Sequence, residues 1–507
     1  MRTERSIKNL FYGLLSFAIT TVVGILIPRL FILSYGSEMN GLLNSVKQIF
    51  VYFTLLEAGV GTATQQALYG ALAKKNKNDV SGIISATNRF YKKTGVLYGI
   101  VVVALAVIYP MVIDSSIPVY IIVGIILCQG EAGVVKYFVT AKLQLLLNAD
   151  GKSYVIGNIA MIFTIISNLF RVLLIYFGFH ILWVQAIFCI IDICQVTIIV
   201  AYTKKYYSWV DLHAKPNFDA LKQRNSVLLH QISGLVFNNT DTIILTYFCS
   251  LKIVSVYTMY AMLYAMVANI IGYIANSVTF ALGQIFNENR QRFLEIQQVY
   301  ETYFLAISCS LFTIAHIFIT PFLKLYTRGV YDVNYIDKWL PTLFLIYQML
   351  DYGRKTSSNI INFACEFKNT QWRSVLETAI NLGVSVLCVT QFGIYGVLFG
   401  TIIALFYRTN DMILYSNHKI LKRSAVPTYK RWLRDIILVV VSIRVCKFLP
   451  NEYNNYLELF MYAIPVTIII IISFLCVNLL FEKESRISTN IFLKRILLKI
   501  KSKANKK

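Results

Sequence analysis

Long apolar runs separated by short polar or basic segments occupy the chain from about residue 11 to residue 481. Each run has the length of a helix that crosses a bilayer, about 20 residues, because backbone groups in hydrocarbon must be satisfied within their own segment. The alternating pattern of a membrane β-barrel is absent. The pattern predicts an all-α polytopic membrane protein with about 14 transmembrane helices. They lie at approximately residues 10–33, 42–71, 95–113, 119–147, 154–177, 181–202, 226–247, 254–285, 302–325, 340–364, 374–391, 394–416, 433–450 and 458–481.

Basic residues concentrate in alternate loops, and this distribution predicts the topology. The chain has 48 Lys and Arg against 25 Asp and Glu, so its net charge is +23. If the N-terminus is cytoplasmic, the cytoplasmic segments hold about 34 basic residues and the external segments about 4, as the positive-inside rule requires. The charge therefore predicts that both termini are cytoplasmic, and it gives no reason to expect a nucleic-acid partner.

The two halves of the chain show an internal repeat with an offset near 215 residues. The segment 35–37 corresponds to 248–250, and Phe177-Gly178 corresponds to Phe392-Gly393. Six spans per copy is an even number, so both copies have the same orientation and the repeat is parallel. The predicted organisation is an N-terminal lobe (1–203), a cytoplasmic linker (204–225), a C-terminal lobe (226–417), two extra helices (418–481) and a basic cytoplasmic tail (482–507). Within the tail, residues 491–503 form a basic amphipathic helix that we expect to lie on the anionic leaflet.

Several basic residues fall inside the predicted spans, where an ionisable side chain is costly and usually functional. Five of them lie on the first, second, fourth and tenth spans, which a two-lobe arrangement can bring to a central axis; they are Arg29, Lys47, Lys136, Arg354 and Lys355. Such a set predicts an anionic cargo such as a diphosphate. The alternative is that each cation only pairs with a nearby acid, as Asp351 could pair with Arg354 or Lys355 one turn away. Lys142 and Arg408 are expected to extend to the cytoplasmic surface.

The apolar stretch 230–247 carries polar residues where a lipid-facing helix should carry none. Asp241 and Asn239 offer oxygen ligands of the kind that a hard cation needs, and a desolvated carboxylate could equally exchange a proton. The alternative for Asp241 is an interhelical hydrogen bond that stabilises the lobe. On the eleventh span, Glu377 and Asn381 are four residues apart and share one face of the helix.

The sequence gives little support for catalysis. It contains no CxxC pair and no His/Cys cluster at metal spacing, so the nine cysteines are interpreted as buried thiols. No nucleophile or phosphate-loop motif is present, and the longest external loop, 326–338, has about a dozen residues, an ordinary connection length. A polytopic polysaccharide polymerase is therefore the less favoured alternative. The only cofactor that we expect is a coupling ion, either Na⁺ or H⁺.

Four motifs carry a family resemblance that covers essentially the whole chain. They are SYGSEMNGLLNSVKQIF (34–50), LEAGVGTATQQALY (56–69), NNTDTIILTYF (238–248) and QFGIYGVLFGTIIALFYR (391–408). With these motifs the chain resembles the polysaccharide flippases of the multidrug/oligosaccharidyl-lipid/polysaccharide (MOP) exporter superfamily, the Wzx-like O-antigen transporters. The resemblance implies two six-helix lobes that face each other in a V, alternating access, and a groove beside the last two spans for a lipid tail.

The resemblance also implies a cargo, undecaprenyl-diphosphate-linked oligosaccharide, moved from the cytoplasmic to the outer leaflet of the bacterial cytoplasmic membrane. On this resemblance, Arg29, Lys47, Lys136, Arg354 and Lys355 would line a cationic cavity that binds the cargo. Asp241, Glu377, Asn381 and Thr401 match the positions of a cation-coupling site in some members of the superfamily. Expected partners are membrane lipids, the lipid-linked oligosaccharide and other polysaccharide assembly proteins, with the flippase itself a monomer. The glycan stays open between O-antigen, capsule, exopolysaccharide and a peptidoglycan precursor. A cation-coupled multidrug-type antiporter of the same superfamily is the alternative, although it predicts an acidic cavity and commonly twelve spans.

Overall fold

The computed structural model describes residues 2–57, 59–218 and 224–487, and these residues form helices joined by short connections. Nine helices within these ranges are long and apolar enough to cross a membrane. The all-α membrane class predicted from the apolar runs is therefore confirmed. The predicted amphipathic helix at residues 491–503 lies outside the described residues.

The helices follow the predicted spans in order. They are α1 (Arg2–Phe53), α2 (Val60–Ala73), α3 (Lys77–Val112), α4 (Val119–Val135), α5 (Ala141–Ala149), α6 (Ser153–Tyr176), α7 (Ile181–Tyr206), α8 (Arg224–Phe248), α9 (Leu251–Glu288), α10 (Arg290–Tyr326), α11 (Leu340–Gly353), α12 (Lys355–Phe363), α13 (Phe367–Phe392), α14 (Ile394–Leu414), α15 (Val426–Val445) and α16 (Tyr456–Phe481).

Several predicted spans are interrupted rather than continuous. The span 42–71 is divided by a 3₁₀ turn at Thr54–Glu57 and by Gly59, whose φ of 76° is a left-handed conformation that favours glycine. The span 119–147 contains a π-helical segment, Lys136–Thr140, between α4 and α5. The span 340–364 is divided at Arg354, between α11 and α12. Apolar length predicted each span, whereas a local break inside it needs only one or two residues and leaves the average hydropathy unchanged.

Contacts divide the chain into two units, of which the first comprises residues up to Thr258 together with 329–333. In this unit α1 packs on α4, α6 and α8, and α3 packs on α4. Fully buried apolar side chains such as Leu42, Val46 and Ile125 form its core. Because α8 packs on α1, the contact division falls within α9, whereas the repeat places the lobe boundary before α8. The lobe division at residues 204–225 stays a prediction.

The described part of the predicted linker folds back on the first unit. The backbone N–H of Asn217 donates to the carbonyl of Gly82 on α3 at 3.0 Å, and the backbone N–H of Asp211 donates to the Ser81 hydroxyl at 3.2 Å. Trp209 packs against the small apolar cluster formed by α2, α3 and α5. These contacts fix the end of α7 to the start of α3.

The second unit comprises residues 259–328 and those from 334 onward. In this unit α13 packs on α14, and the two helices are joined at Gly393, whose φ is 54°. Gly178 joins α6 to α7 at the corresponding point of the repeat, with φ 71°. The two extra helices pack on α10, where the buried guanidinium of Arg431 on α15 lies 2.8 Å from Glu301 and 3.0 Å from Glu482. Glu301 lies on α10 and Glu482 directly follows α16. Because both carboxylates contact the Arg431 guanidinium of α15, this ion-pair network holds α15 and α16 against α10.

Candidate functional site

The first unit contains a polar cavity of about 390 Å³ between α1, α4, α6 and α7. Lys47 from the predicted cationic set lines it, together with Arg171, Glu131 and Asp192. The amides at its wall are those of Asn40, Asn44, Gln129 and Gln185. Two cations and two carboxylates therefore face the same space, among groups that can donate and accept hydrogen bonds.

The charges in this cavity are only partly compensated. Arg171 lies against two aromatic rings, 4.7 Å from the Phe188 centroid and 5.5 Å from that of Phe31, so cation–π contacts hold it. Within the described part of the unit, Lys47 forms no ion pair, and neither oxygen of Glu131 has a hydrogen-bond partner. The cavity therefore keeps one cation and one carboxylate available to a ligand. Arg171 was not among the five predicted cations, and its position beside Lys47 was missed.

Two further members of the predicted cationic set belong to the first unit. Lys136 begins the π-helical segment after α4, with its Nζ 3.7 Å from the Glu57 carboxylate and 5.3 Å from the Tyr137 ring centroid. A π-helical segment inside an α-helix is frequent at functional sites. Arg29 lies on α1, partly buried, one residue after Pro28, which lines the cavity. Of the three predicted cations in this unit, Lys47 alone is among the residues that line the cavity.

Asp241 lies buried on α8 and accepts a hydrogen bond of 2.7 Å from the Tyr257 hydroxyl on α9. The neighbouring polar residues face α1, because Gln48 donates to the Asn239 side-chain carbonyl and Tyr52 shares a hydrogen bond with Thr240. The interhelical hydrogen bond that was the alternative role for Asp241 is therefore present. Whether Asp241 also holds a coupling ion stays a prediction.

The second unit holds a neutral cluster of three arginines and three carboxylates. Arg354 donates to Asp351 at 2.7 Å and also to Glu377. Arg408 lies 3.4 Å from the other oxygen of Glu377 and donates to Asp411 at 2.6 Å. Arg373 completes the cluster by a contact with the second oxygen of Asp411. The alternative considered for Arg354, a pairing with the nearby Asp351, is therefore present, and binding of an anionic cargo by Arg354 stays a prediction.

Two side chains that were expected to reach the cytoplasmic surface, those of Arg408 and Lys142, are buried instead. The Arg408 side chain is only 3% exposed because carboxylates on α13 and α14 surround its guanidinium. Lys142 is also buried, and its Nζ donates to the Phe138 carbonyl one turn earlier at 2.6 Å. Both expectations were wrong, because partners inside the protein replace the water that the charged groups would otherwise need.

The remaining predicted coupling residues lie where α13 and α14 are in close contact. The Asn381 amide donates to the Thr401 hydroxyl at 2.9 Å, and both residues are buried. A Cβ added to Gly400 would lie 2.1 Å from the Ser385 hydroxyl, so the two helices approach at a glycine. Glu377, Asn381 and Thr401 therefore share one helix pair, with Glu377 already paired to arginines.

A second polar cavity, of about 480 Å³, lies within the second unit between α9 and the α11–α12 segment. Lys355 lines it, with its Nζ 5.6 Å from the Tyr352 ring centroid and no ion pair within the described residues. Amide and hydroxyl side chains make up most of the remaining wall, namely Asn269, Asn276, Thr279, Ser358, Asn359 and Asn362. The wall is uncharged apart from Lys355, so the cavity combines one cation with many hydrogen-bonding groups and two tyrosine rings.

The comparisons with known proteins agree on the fold. No family model and no curated protein matches the chain. Its structure is similar to that of the lipid II flippase MurJ in an inward closed conformation, with a TM-score of 0.68 and 14% identity over 94% of this chain and 98% of that chain. It is also similar to a multidrug resistance MATE family transporter of the MOP superfamily. The inward-facing conformation gives a TM-score of 0.59 and 16% identity over 85% of this chain and 96% of that chain. The outward-facing conformation of a MATE family transporter gives a TM-score of 0.53 and 15% identity over 86% of this chain and 96% of that chain.

These similarities are similarities of fold. The chain shares the fold of these solved structures, and the superfamily resemblance found in the four sequence motifs agrees with this fold. The matched proteins are transporters, and the fold is that of a multi-pass membrane protein.

Proposed function

We propose that this protein is a flippase that moves an undecaprenyl-diphosphate-linked oligosaccharide from the cytoplasmic to the outer leaflet of a bacterial cytoplasmic membrane. The observation that carries the proposal is the cavity of the second unit, in which the unpaired cation Lys355 lies among amide and hydroxyl side chains. The fold supports it, because the similarity to a lipid II flippase extends over 94% of the chain.

The chemistry of this cavity suits a glycosyl diphosphate. A sugar presents many hydroxyls, each a donor and an acceptor, and Asn side chains offer both functions at one position. Tyr273 and Tyr352 add aromatic rings at the same wall, which can lie against the apolar face of a sugar. Lys355 supplies a mobile point charge for a phosphate oxygen. The prenyl chain is apolar and would not be solvated in so polar a cavity. In this proposal it therefore stays in the surrounding lipid.

The same proposal includes coupling to a cation gradient. Ligand or ion binding can drive alternating access only if it favours one conformation over the other. Asp241 is our candidate for this role, because its hydrogen bond to Tyr257 links α8 to α9 and would change if the carboxylate took up a proton or a metal cation. Glu377 is less suited to it, since two arginines already neutralise its charge.

Charge reversal at Lys355 tests the proposal in cells that depend on this protein for surface polysaccharide. Lys355→Glu should abolish surface polysaccharide while the protein remains inserted, because the glutamate would repel the diphosphate. Lys355→Arg should retain export. The matched control is Lys483→Glu, which reverses an exposed lysine after α16 and should leave export unchanged. Normal polysaccharide in Lys355→Glu cells would reject the assignment of this cavity.

One observation favours a second candidate, a cation-coupled multidrug-type antiporter. The carboxylate of Glu131 in the first cavity has no hydrogen-bond partner within the described residues, and Asp192 lines the same space. Unpaired carboxylates of this kind suit a cationic drug or an exchanged proton. Vesicles that contain the purified protein would show gradient-driven uptake of a cationic dye if this candidate is right, and Glu131→Gln would abolish that uptake.

A further inference from the structure

A third cavity, of about 650 Å³, lies within the second unit at the C-terminal end of α10. Its walls come from α10, from the segment that leads into α11, and from the turn between α15 and α16. Three lysines line it, Lys324, Lys338 and Lys447. The rest of the wall is largely apolar, with Ile317, Phe318, Pro321, Ile336, Ile443 and Leu449. The cavity is therefore amphipathic, with cations set beside an apolar surface.

Two of these three lysines lack a counter-ion. Lys324 pairs with Glu452 at 2.9 Å, and this hydrogen bond lowers the pKa of the Glu452 carboxyl. Lys338 lies with its Nζ 5.4 Å from the Trp339 ring centroid, and neither it nor Lys447 forms an ion pair in the part of the chain that the structure describes. The cavity keeps at least two lysine charges for a ligand.

The one carboxylate in the cavity wall already has other partners. One oxygen of Asp337 accepts hydrogen bonds from the backbone N–H groups of Trp339 and Leu340, at 2.7 and 2.8 Å, where α11 begins. Its other oxygen accepts a hydrogen bond from the Tyr395 hydroxyl. A carboxylate at the N-terminal end of a helix is stabilised there by the helix dipole and by these donors. Asp337 thus serves the start of α11 rather than the lysines.

The position of the lysines along the chain is unusual for this topology. Lys338 is one of the about 4 basic residues that the predicted external loops contain. Lys324 and Lys447 lie at the external ends of their predicted spans, 302–325 and 433–450. Arg328 belongs to the same external segment and donates to the carbonyls of Asn454 and Tyr453, beside the cavity. On the predicted topology these basic side chains cluster at the external ends of membrane helices, where we expect the lipid phosphates of the outer leaflet.

We propose that this cavity binds the phosphate of a lipid at the outer surface of the membrane, with the lysines on the phosphate and the apolar wall against the first carbons of the chain. The phosphate could come from the diphosphate of the delivered cargo or from an anionic phospholipid of the outer leaflet. The cargo source and the external placement rest on the proposed function and its topology. The site is distinct from the cavity at Lys355, because the two share no lining residue.

Cys446 lines this cavity and reports its occupancy directly. The full-length protein is placed in phosphatidylcholine nanodiscs, and alkylation of Cys446 by a small maleimide is followed by peptide mass spectrometry. Undecaprenyl diphosphate, phosphatidylglycerol and uncharged undecaprenol are added in separate samples. At about ten times its Kd, a phosphate-bearing lipid should slow alkylation about tenfold. Cys365 lies outside the cavity and serves as the reference thiol. It is exposed, so the interpretation of all nine cysteines as buried thiols was wrong for this residue.

The lysine variants provide the matched controls. Lys338→Gln combined with Lys447→Gln should remove the protection, whereas Lys252→Gln, another lysine on the predicted external side, should keep it. Cys309 is buried, so its continued resistance to alkylation shows that each variant remains folded. Protection by phosphatidylglycerol alone supports the site and identifies a phospholipid as the source of the phosphate. Equal protection by undecaprenol, no protection by either phosphate lipid, or full protection in the double variant would overturn the proposal. Since no transport is measured, these results are independent of the outcome for Lys355→Glu.

Discussion

The guanidinium of Arg354 donates a hydrogen bond to the carboxylate of Glu377 on α13. Arg408 approaches the other oxygen of the same carboxylate at 3.4 Å. The Glu377 side chain is only 8% exposed, and two protein cations lie against its carboxylate. Arg354 was expected to bind an anionic cargo and Glu377 a coupling cation. In the structure the two side chains form an ion pair with each other.

Removal of the Glu377 charge should destabilise the second unit. Glu377→Gln leaves Arg354 and Arg408 with one carboxylate fewer between them, and an uncompensated buried charge costs about 3 kcal/mol or more. The measurement is the free energy of unfolding of the purified protein in detergent, from thermal or denaturant unfolding.

A double-mutant cycle separates this pair from general damage. The combination of Glu377→Gln with Arg408→Gln should cost less than the sum of the two single changes, because it restores the charge balance. Lys355→Gln, next to Arg354 in sequence but without an ion pair, should change stability by less than about 0.5 kcal/mol. Strictly additive losses in the cycle would show that Glu377 and Arg408 do not interact.

The contact between α13 and α14 predicts opposite effects for two glycines. Gly400→Ala would place a Cβ 2.1 Å from the Ser385 hydroxyl and 2.7 Å from the Ser385 backbone nitrogen. We expect it to destabilise the protein by about 1–3 kcal/mol, because the backbone has to move apart. Gly383→Ala on α13 meets nothing within 4 Å and should be neutral or stabilise by up to about 1 kcal/mol through helix propensity. Equal effects of the two changes, measured by thermal unfolding, would contradict this packing.

Asp241→Asn should remove the dependence of transport on an ion gradient. The asparagine keeps the size of the side chain and can still accept the hydrogen bond from Tyr257, but it can neither bind a metal cation as a carboxylate nor exchange a proton. Transport is measured in vesicles with an imposed Na⁺ or H⁺ gradient and after the gradient is collapsed.

Tyr257→Phe is the control for this prediction. It removes the 2.7 Å hydrogen bond to Asp241 but leaves the carboxylate in place. Gradient dependence should survive in Tyr257→Phe and disappear in Asp241→Asn. If Asp241→Asn responds to the gradient as the unmodified protein does, Asp241 has only the structural role of its hydrogen bond.

The fold followed from the sequence because apolar length is a strong local signal, and each predicted span falls on one helix or on consecutive helical segments of the structure. The repeat was also readable, since Gly178 and Gly393 both adopt positive φ at corresponding turns. Breaks within spans were missed. One of them separates α11 from α12 at Arg354, after Gly353, where an added Cβ would meet the Trp432 ring at 2.0 Å. A contact with a residue about 80 positions away leaves no local pattern in the sequence.

The sequence predicted which charged residues belong to the candidate sites, but it did not predict which of them pair with one another. Asp351 and Arg354 are three residues apart on one helical path, so their pairing could be read from the sequence. The pairing of Glu377 with Arg408 joins two helices, and only the packing of α13 on α14 brings them together. For the same reason the sequence did not distinguish Lys47 and Lys355 from Arg354. The two lysines line cavities and form no ion pair among the residues that the structure describes, whereas Arg354 is neutralised.

The transbilayer movement of a lipid-linked oligosaccharide tests the central claim most directly. Proteoliposomes are prepared with the purified protein and a radiolabelled undecaprenyl-diphosphate oligosaccharide, and a glycosidase added outside measures how much glycan becomes accessible with time. The account predicts that the protein accelerates this movement, that Lys355→Glu abolishes the acceleration, and that Lys483→Glu does not. A rate equal to that of protein-free vesicles, or one that is unchanged by Lys355→Glu, would contradict it.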